Sequence, residues 1–183
     1  MTQWREAPAA AAALVFPASA FKETRLVKFP ARRVVTGHDE NGKAIVLIDE
    51  TATNVRTRRA GHASHVVWSE PYPVDNDAAG DGSQRQFDRT LPDGSVFRII
   101  KLEPGAEPRM HRTNSLDYAI ILSGEVDLEL DDSVVRLSAG DTVVQRGTIH
   151  NWANRSNEVC LIGIVLISAD PAKAGGKVLD EIK

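Results

Sequence analysis

Short runs of β-prone residues, separated by turn residues, dominate the second half of the chain. Six runs follow one another at close spacing: Val96–Leu102, Leu116–Leu122, Glu125–Leu130, Val134–Leu137, Thr142–Gln145 and Val159–Ser168. Turn residues such as Ser123-Gly124 and Ala139-Gly140 separate the runs, and no helical pattern lies between them. Short strands at this spacing predict an antiparallel sandwich or barrel.

The first half of the chain adds further predicted strands and one long loop. Arg32–Thr36 and Lys43–Ile48 flank Asn41-Gly42, which predicts a β-hairpin. His65–Ser69 is typical of another strand. The segment Tyr72–Gln86 is rich in Pro, Asp, Asn, Gly and Ser, and it predicts a surface loop that could act as a lid.

These patterns predict one all-β protein with four parts along the chain. The parts are an N-terminal arm (1–30), a β extension packed on the barrel (31–92), a barrel (93–169) and a C-terminal tail (170–183). Within the tail, Ala172–Lys183 is expected to form a short exposed helix. A chain of 183 residues is long enough to bury a sizeable core as one domain.

Charge and cysteine content narrow the classes of function and compartment. The net charge of −3 predicts no general attraction to nucleic acid or to an anionic membrane surface. The single cysteine, Cys160, excludes an internal disulfide, and its apolar neighbours predict a buried thiol. A reduced thiol is consistent with the cytoplasm, the compartment we expect.

The N-terminal segment leaves one alternative to a cytoplasmic location. The apolar run Ala9–Phe16 is followed by Ala18-Ser19-Ala20, which resembles a signal-peptide cleavage site. Against a signal peptide, Glu6 stands just before the run and prolines flank it. We therefore expect no signal peptide and no membrane span, because the run is far too short to cross a bilayer.

Three residues form a candidate metal-binding set: His111, Asp117 and His150. Asp117 follows His111 by six positions, and His150 comes 33 residues later. Two imidazoles and one carboxylate can form a facial three-ligand set that suits Fe(II), Mn(II), Ni(II) or Zn(II) and leaves open positions for substrate. The alternative is a metal-free polar pocket in which Asp117 hydrogen-bonds His111 or a backbone N–H.

The glycines around these residues make the pattern specific. Gly105, His111, Thr113, Asp117 and Gly124 follow the first motif of the cupin superfamily, G-x5-H-x-H-x3/4-E-x6-G. The second motif, G-x5-P-x-G-x2-H-x3-N, is matched by Gly140, Gln145, Gly147, His150 and Asn154, with the first gap one residue shorter. The chain thus resembles a small single-domain cupin. This resemblance implies a jelly-roll β-barrel, with both histidines and the acid pointing into one pocket.

The chain departs from the cupin motifs at positions that bear on metal binding. Thr113 stands where the full pattern has a second histidine, Asp117 replaces glutamate and Gln145 replaces proline. A threonine hydroxyl is a poor ligand for a late transition metal, and aspartate reaches less far than glutamate. We therefore expect Thr113 to line the pocket, and a three-ligand site stays possible with His111, Asp117 and His150.

Other residues near the motifs have two interpretations each. Arg146 is a candidate to contact an anionic substrate, or it lies on the rim and pairs with an acid such as Asp141. Tyr118 and Trp152 are expected to pack the barrel wall or a dimer contact. The three histidines outside the motifs are interpreted as surface or loop residues: His38, His62 and His65.

Three functions follow from the resemblance. The leading one is a metal-dependent enzyme, oxygenase-like or another tailoring enzyme, acting on a small organic molecule. The second is a metal-free isomerase or dehydratase in which His150 or His111 acts as general base and Asp117 orients it. The third is a small-ligand-binding module without chemistry, since fold does not determine function. Cupins commonly pair their barrels, so a homodimer is also expected.

Overall fold

The computed structural model describes residues 27–183, whose regular structure consists of β-strands and one short 3-10 helix at Gly82–Gln84. Its strands are β1 (Arg32–His38), β2 (Ala44–Thr51), β3 (Arg56–Arg59), β4 (His62–Pro71), β5 (Gly94–Leu102), β6 (Ser115–Ser123), β7 (Glu125–Glu129), β8 (Val134–Ser138), β9 (Thr142–Arg146), β10 (Asn151–Ala153), β11 (Cys160–Ser168), β12 (Lys173–Ala174) and β13 (Lys177–Val178). Within residues 27–183 no helix is long and apolar enough to cross a membrane. Most of the predicted arm, residues 1–26, lies outside the described part.

Two sheets form the barrel and share one core. The larger sheet has the order β3-β4-β5-β11-β6-β9, and the smaller has the order β10-β7-β8. Ile121 and Ile162 from the larger sheet pack in one buried cluster with Val126, Leu128 and Trp152 from the smaller sheet. The all-β barrel predicted from the spacing of short strands is therefore confirmed.

Strand alternation on β6 shows how the sequence divides inside from outside. Ser115, Asp117, Ala119 and Ile121 are buried, whereas Tyr118 between them is exposed. Successive side chains on a strand point to opposite faces, so the buried set faces the barrel interior. The alternation along β6 therefore places the Asp117 carboxyl group inside the barrel, although a charged group is more stable in water.

The β1–β2 hairpin confirms the Asn41-Gly42 turn prediction. Gly42 has φ of 75° and its N–H donates to the Asp39 carbonyl at 2.9 Å. Arg33, on β1, is buried and pairs with Glu50 at 2.6 Å and with Asp81 at 2.5 Å. Because Asp81 belongs to the long loop after β4, these ion pairs tie the hairpin to that loop.

The C-terminal tail is not helical, which corrects the prediction for Ala172–Lys183. Its strands β12 and β13 pair with each other around Gly175 and Gly176, whose φ angles are 55° and 75°. Two glycines in the left-handed region form a tight turn that a helix cannot accommodate. The tail also lies against the barrel, where Arg112 N–H donates to the Ile182 carbonyl at 3.0 Å.

The larger sheet extends across the predicted start of the barrel at residue 93. Strand β4 pairs with β5 over nearly its whole length, with His62 opposite Leu102 and Pro71 opposite Gly94. Residues 56–71 therefore share a sheet with the strands of the barrel. The division of the chain into four parts stays a prediction.

Candidate functional site

One cavity opens into the barrel on the inner face of the larger sheet. Its walls combine aliphatic and aromatic side chains with histidines, one buried acid and several arginines. The lining residues are Arg58, Arg59, His62, Ser64, Arg89, Arg98, Ile100, Leu102, Arg109, His111, Thr113, Asp117, His150, Trp152, Ile164 and Leu166. We call this space the barrel cavity. It contains all three residues of the candidate set that the sequence identified.

His111 and His150 face each other across a pair of backbone hydrogen bonds. The N–H of each residue donates to the carbonyl of the other at 2.9 Å, and the ring centroids are 4.2 Å apart. His111 Nδ1 lies 3.0 Å from the Arg109 carbonyl, and His150 Nδ1 lies 3.0 Å from the Thr148 carbonyl. A carbonyl oxygen only accepts hydrogen bonds, so each Nδ1 carries the proton and each Nε2 keeps its lone pair.

Gln145 joins Asp117 to His150. Its Nε2 donates to Asp117 Oδ2 at 2.8 Å and lies 3.2 Å from His150 Nε2, so one amide group serves both neighbours. All three side chains are buried. Within residues 27–183, Asp117 Oδ1 and Gln145 Oε1 are buried without a hydrogen-bond partner. These two oxygen atoms can therefore accept hydrogen bonds from a ligand hydroxyl or from a protonated carboxyl group.

Burial reverses the usual order of pKa values between Asp117 and His150. Burial raises the pKa of Asp117 to about 6, against the lowering effect of hydrogen bonds from Ser115 and Gln145. Burial, followed by repulsion from His111, lowers the pKa of His150 to about 4. The pKa of His111 is also lowered, mainly by burial. At neutral pH both imidazoles are therefore neutral, and below about pH 6 the proton is held by Asp117.

The donor atoms suit a divalent metal in kind, but they are not gathered around one point. Within residues 27–183 no group of three or more His, Cys, Asp or Glu side chains is placed to hold a metal ion. The Gln145 amide stands between Asp117 Oδ2 and His150 Nε2, where a shared metal would have to bind. In this arrangement His111, Asp117 and His150 do not fit a three-ligand site, and metal binding stays a prediction.

The two pocket candidates lie in different places. Thr113 is buried, lines the barrel cavity and hydrogen-bonds Ser115 through its hydroxyl at 2.9 Å. Arg146 is exposed and borders a separate surface groove with Arg112 and Thr148. Trp152 is buried in the cavity wall, whereas Tyr118 points outward and is half exposed. The long loop of residues 72–86 contributes no side chain to the cavity lining.

Two histidines outside the motifs are not surface residues, which corrects the interpretation of His62 and His65. His62 lines the barrel cavity, and burial lowers its pKa to about 4. His65 is buried on the opposite face of β4, where its ring lies 5.2 Å from that of Phe29. Both are covered because β4 pairs with β5 inside the larger sheet, a pairing that the local sequence did not reveal.

The arginines of the cavity were missed at the sequence level. Four of them are half-buried: Arg59, Arg89, Arg98 and Arg109. Arg98 could have been identified from the sequence. It occupies an inward position on β5 between Val96 and Ile100, where alternation predicts an apolar residue. The other three lie on β3 or on irregular segments, where no periodic pattern indicates which way a side chain points.

Comparison with known proteins identifies the family. A family model described as a cupin domain matches residues 98–167. Phomopsin biosynthesis cluster protein D of Diaporthe leptostromiformis is 36% identical over 169 residues, covering 86% of this chain and 88% of the relative. A cupin-domain-containing oxidoreductase of Aspergillus ruber is 32% identical over 160 residues, covering 81% of this chain and 77% of the relative. The similarity thus extends well beyond the two motifs.

Solved structures resemble the chain only in fold. The cupin domain of Cnp3 from Schizosaccharomyces pombe is 10% identical, with a TM-score of 0.48 over 75% of this chain and 87% of that one. KdgF from Halomonas sp. is 18% identical, with a TM-score of 0.42 over 64% of this chain and 89% of that one. Both likenesses are too distant to bear on function.

Proposed function

Since the chain belongs to the cupin family, we propose that it is an enzyme that modifies a small organic molecule in the barrel cavity, with His111, His150 and Asp117 at the reacting centre. The observation that carries this proposal is the pair of neutral imidazoles facing each other beside a buried carboxyl group. Relatives with at least 30% identity are named as biosynthesis cluster proteins or as oxidoreductases, which supports a tailoring enzyme.

Acid–base chemistry is the reaction type that this geometry supports best. His111 Nε2 has a free lone pair and accepts a proton from the substrate, because its Nδ1 proton is held by the Arg109 carbonyl. Asp117, with its pKa raised to about 6, returns a proton to the substrate from a buried position. Gln145 holds the side chains of Asp117 and His150 in fixed positions, because one of its two amide N–H groups donates to each of them. After one isomerisation or dehydration His111 holds the substrate's proton and Asp117 lacks its own, so a proton passes from His111 to Asp117, directly or through solvent, before the next turnover.

A metal-dependent oxidoreductase is the second candidate. The names of the relatives favour it, and so do the Nδ1 bonds to backbone carbonyls, which orient metal-binding histidines in many proteins. Fe, Mn, Ni or Zn would need His111, His150 and Asp117 as ligands, and Gln145 would have to rotate away from His150. The buried, unpartnered Oδ1 of Asp117 would supply the carboxylate oxygen.

Elemental mass spectrometry on untagged protein separates the two candidates. The wild type, His111→Ala and His150→Ala are purified with and without reconstitution with Fe(II) or Mn(II). The exposed His38 provides a matched control as His38→Ala. For acid–base chemistry we expect well under one metal ion per chain in every sample, because Gln145 occupies the shared position.

Stoichiometric metal that both site variants lose and His38→Ala keeps would contradict the acid–base assignment and establish the metal site. A metabolite screen then addresses turnover. Binding without turnover would leave the chain as a ligand-binding module. A cytoplasmic location remains part of the proposal, supported by the reduced and buried thiol of Cys160.

A further inference from the structure

We propose that the barrel cavity takes its substrate as an organic carboxylate, held by the guanidinium groups of Arg59, Arg89, Arg98 and Arg109. We call these four residues the arginine cluster. The proposal rests on the barrel cavity being the substrate site, and it adds the chemical class of the molecule that enters. Its basis is a concentration of positive charge that the described part of the protein does not neutralise.

The arginine cluster lacks the ion pairs that several other arginines of the protein make. Arg32, Arg33, Arg136 and Arg155 each pair with at least one carboxylate elsewhere in the protein. In residues 27–183 no member of the cluster has a carboxylate partner within ion-pairing distance. Arg58, at the edge of the cavity, is the lining arginine that does pair, through Asp88 at 2.7 Å. Half-buried and unpaired cations are costly unless a counter-ion binds.

Several guanidinium N–H groups in the cluster also have no hydrogen-bond acceptor. Within the described residues, Arg59 Nε, Arg89 Nη1 and Arg98 Nε are buried and unpartnered. The buried N–H groups of native proteins are nearly always paired with protein, water or ligand. Donors of this kind on three separate residues around one cavity indicate that an acceptor-rich group binds between them.

The charges of the cluster act on each other and on the reacting centre. Burial and repulsion from Arg109 lower the pKa values of both Arg59 and Arg89. The same three arginines add to the lowering of the His111 pKa, which places them close to that imidazole. Burial lowers the pKa of Arg98 to about 10, while the charge of Asp117 raises it. An anion held here would therefore lie beside His111.

The other residues that line the barrel cavity indicate the properties of the rest of the ligand. Leu102, Trp152, Ile164 and Leu166 give the cavity an apolar wall, and Asp117 is its only acidic residue among those described. A ligand with an apolar body and one anionic end would match the apolar wall and the arginine cluster. A carboxylate matches the guanidinium fork with two oxygens. Its single charge also limits repulsion from Asp117, which a dianionic phosphate would increase.

The test compares ligands that differ only in charge. Benzoate and cinnamate are titrated against the purified full chain by calorimetry at neutral pH, alongside benzamide, cinnamamide and phenyl phosphate. We expect at least one carboxylate to bind about tenfold more tightly than its amide, the effect of one charged hydrogen bond. The preference should weaken as salt is added. Equal affinity of each acid and amide, no binding of either acid, or preference for phenyl phosphate would overturn the proposal.

Substitutions locate the binding site. Arg89→Gln and Arg109→Gln should each weaken carboxylate binding about tenfold and leave amide binding unchanged. Arg146→Gln removes the same charge from an exposed residue outside the barrel cavity and should leave both affinities unchanged. An equal loss in Arg146→Gln, or no loss in the two cavity variants, would contradict the assignment. The comparison of acid and amide in the wild type does not depend on any variant folding.

Failure of the enzyme proposal gives a different result. If carboxylates bind selectively and no carboxylate is ever turned over, the substrate class stands as a ligand class and the enzyme proposal fails. If turnover is found on neutral molecules and carboxylates do not bind, the enzyme proposal stands and this inference fails.

Discussion

Two buried aspartates show how single residues in this protein acquire opposite properties. Asp117 and Asp127 are 2% and 5% exposed, respectively. Asp127 lies between Arg136 and Arg155, whose hydrogen bonds and charges lower its pKa. Asp117 receives an amide hydrogen bond from Gln145, which does not offset its burial, and its pKa rises to about 6. Deep burial therefore dominates at Asp117, whereas two guanidinium partners dominate at Asp127, and only the first carboxyl group can carry a proton near neutrality.

The raised pKa of Asp117 predicts a pH-dependent gain in stability for Asp117→Asn in metal-free protein. The folded state binds the Asp117 proton more tightly than the unfolded state. Stability from this group is therefore complete below pH 4 and is lost as the pH rises through about 6. Relative to wild type, Asp117→Asn should gain up to ~3 kcal/mol in free energy of unfolding between these limits. Denaturant unfolding at a series of pH values measures the gain.

Asp127→Asn is the matched control with the opposite sign. The lowered pKa of Asp127 means that its contribution is present at neutral pH and lost on acidification. The substitution should therefore cost stability at neutral pH, and the cost should shrink in acid. A pH-independent effect of Asp117→Asn would show that the carboxyl group does not titrate differently in the folded state.

At the level of elements, two glycines of the cupin motifs form turns between strands, and their surroundings leave different amounts of space for a side chain. Gly124 joins β6 to β7 with φ of 73°, and a Cβ there would lie 2.5 Å from the Val159 carbonyl oxygen. Gly140 joins β8 to β9 with φ of 97°, and a Cβ there would meet no atom within 4 Å. Both need a left-handed backbone, but only Gly124 is also confined by the neighbouring chain.

This difference predicts unequal costs for two alanine substitutions. Gly140→Ala should lower the free energy of unfolding by about 1–2 kcal/mol, the cost of the left-handed conformation. Gly124→Ala should cost a further 1–3 kcal/mol, roughly, because the contact with Val159 forces the backbone to shift. Chemical denaturation of both variants measures the difference. Equal losses would mean that the β6–β7 turn moves freely to accept the methyl group.

At the scale of the whole molecule, the outer face of the larger sheet carries a row of exposed apolar side chains. Phe97, Val165, Tyr118 and Val144 stand side by side across β5, β11, β6 and β9. Phe97, Tyr118 and Val144 are 39%, 49% and 63% exposed, respectively. An apolar row on an outer face is typical of an interaction surface. We propose that a second copy of the chain covers it, because the same face on two copies makes a self-complementary contact.

The homodimer is tested by light scattering during size-exclusion chromatography at micromolar concentration. The wild type should have twice the mass of the chain, and Tyr118→Glu should shift the protein toward the monomer because it buries a charge in the contact. Val134→Glu, on β8 in the smaller sheet, is the control at a somewhat more exposed position and should stay dimeric. A monomeric wild type would contradict the proposal. A Tyr118→Glu variant that stays dimeric would show that the dimer contact lies on another surface.

The sequence by itself determined most of the longer strands, the turns between them and three members of the candidate site. Alternation and turn chemistry are local, so the hairpin and six of the strands between Val96 and Ser168 could be predicted. The resemblance to the cupin motifs predicted that His111, Asp117 and His150 share one cavity, and they do. The expectation of a C-terminal helix was wrong because two adjacent glycines outweighed the residues around them.

Only the tertiary structure decided what surrounds those three residues. The pairing of β4 with β5 buries His62 and His65, and β3 and the loops bring Arg59, Arg89 and Arg109 to the cavity. Contacts between residues so far apart in sequence depend on how the strands associate, and periodicity within a strand does not encode that association. The position of Gln145 between Asp117 and His150 has the same origin. The sequence therefore supplied the proposed reacting groups, and the packing of strands and loops set their charge environment.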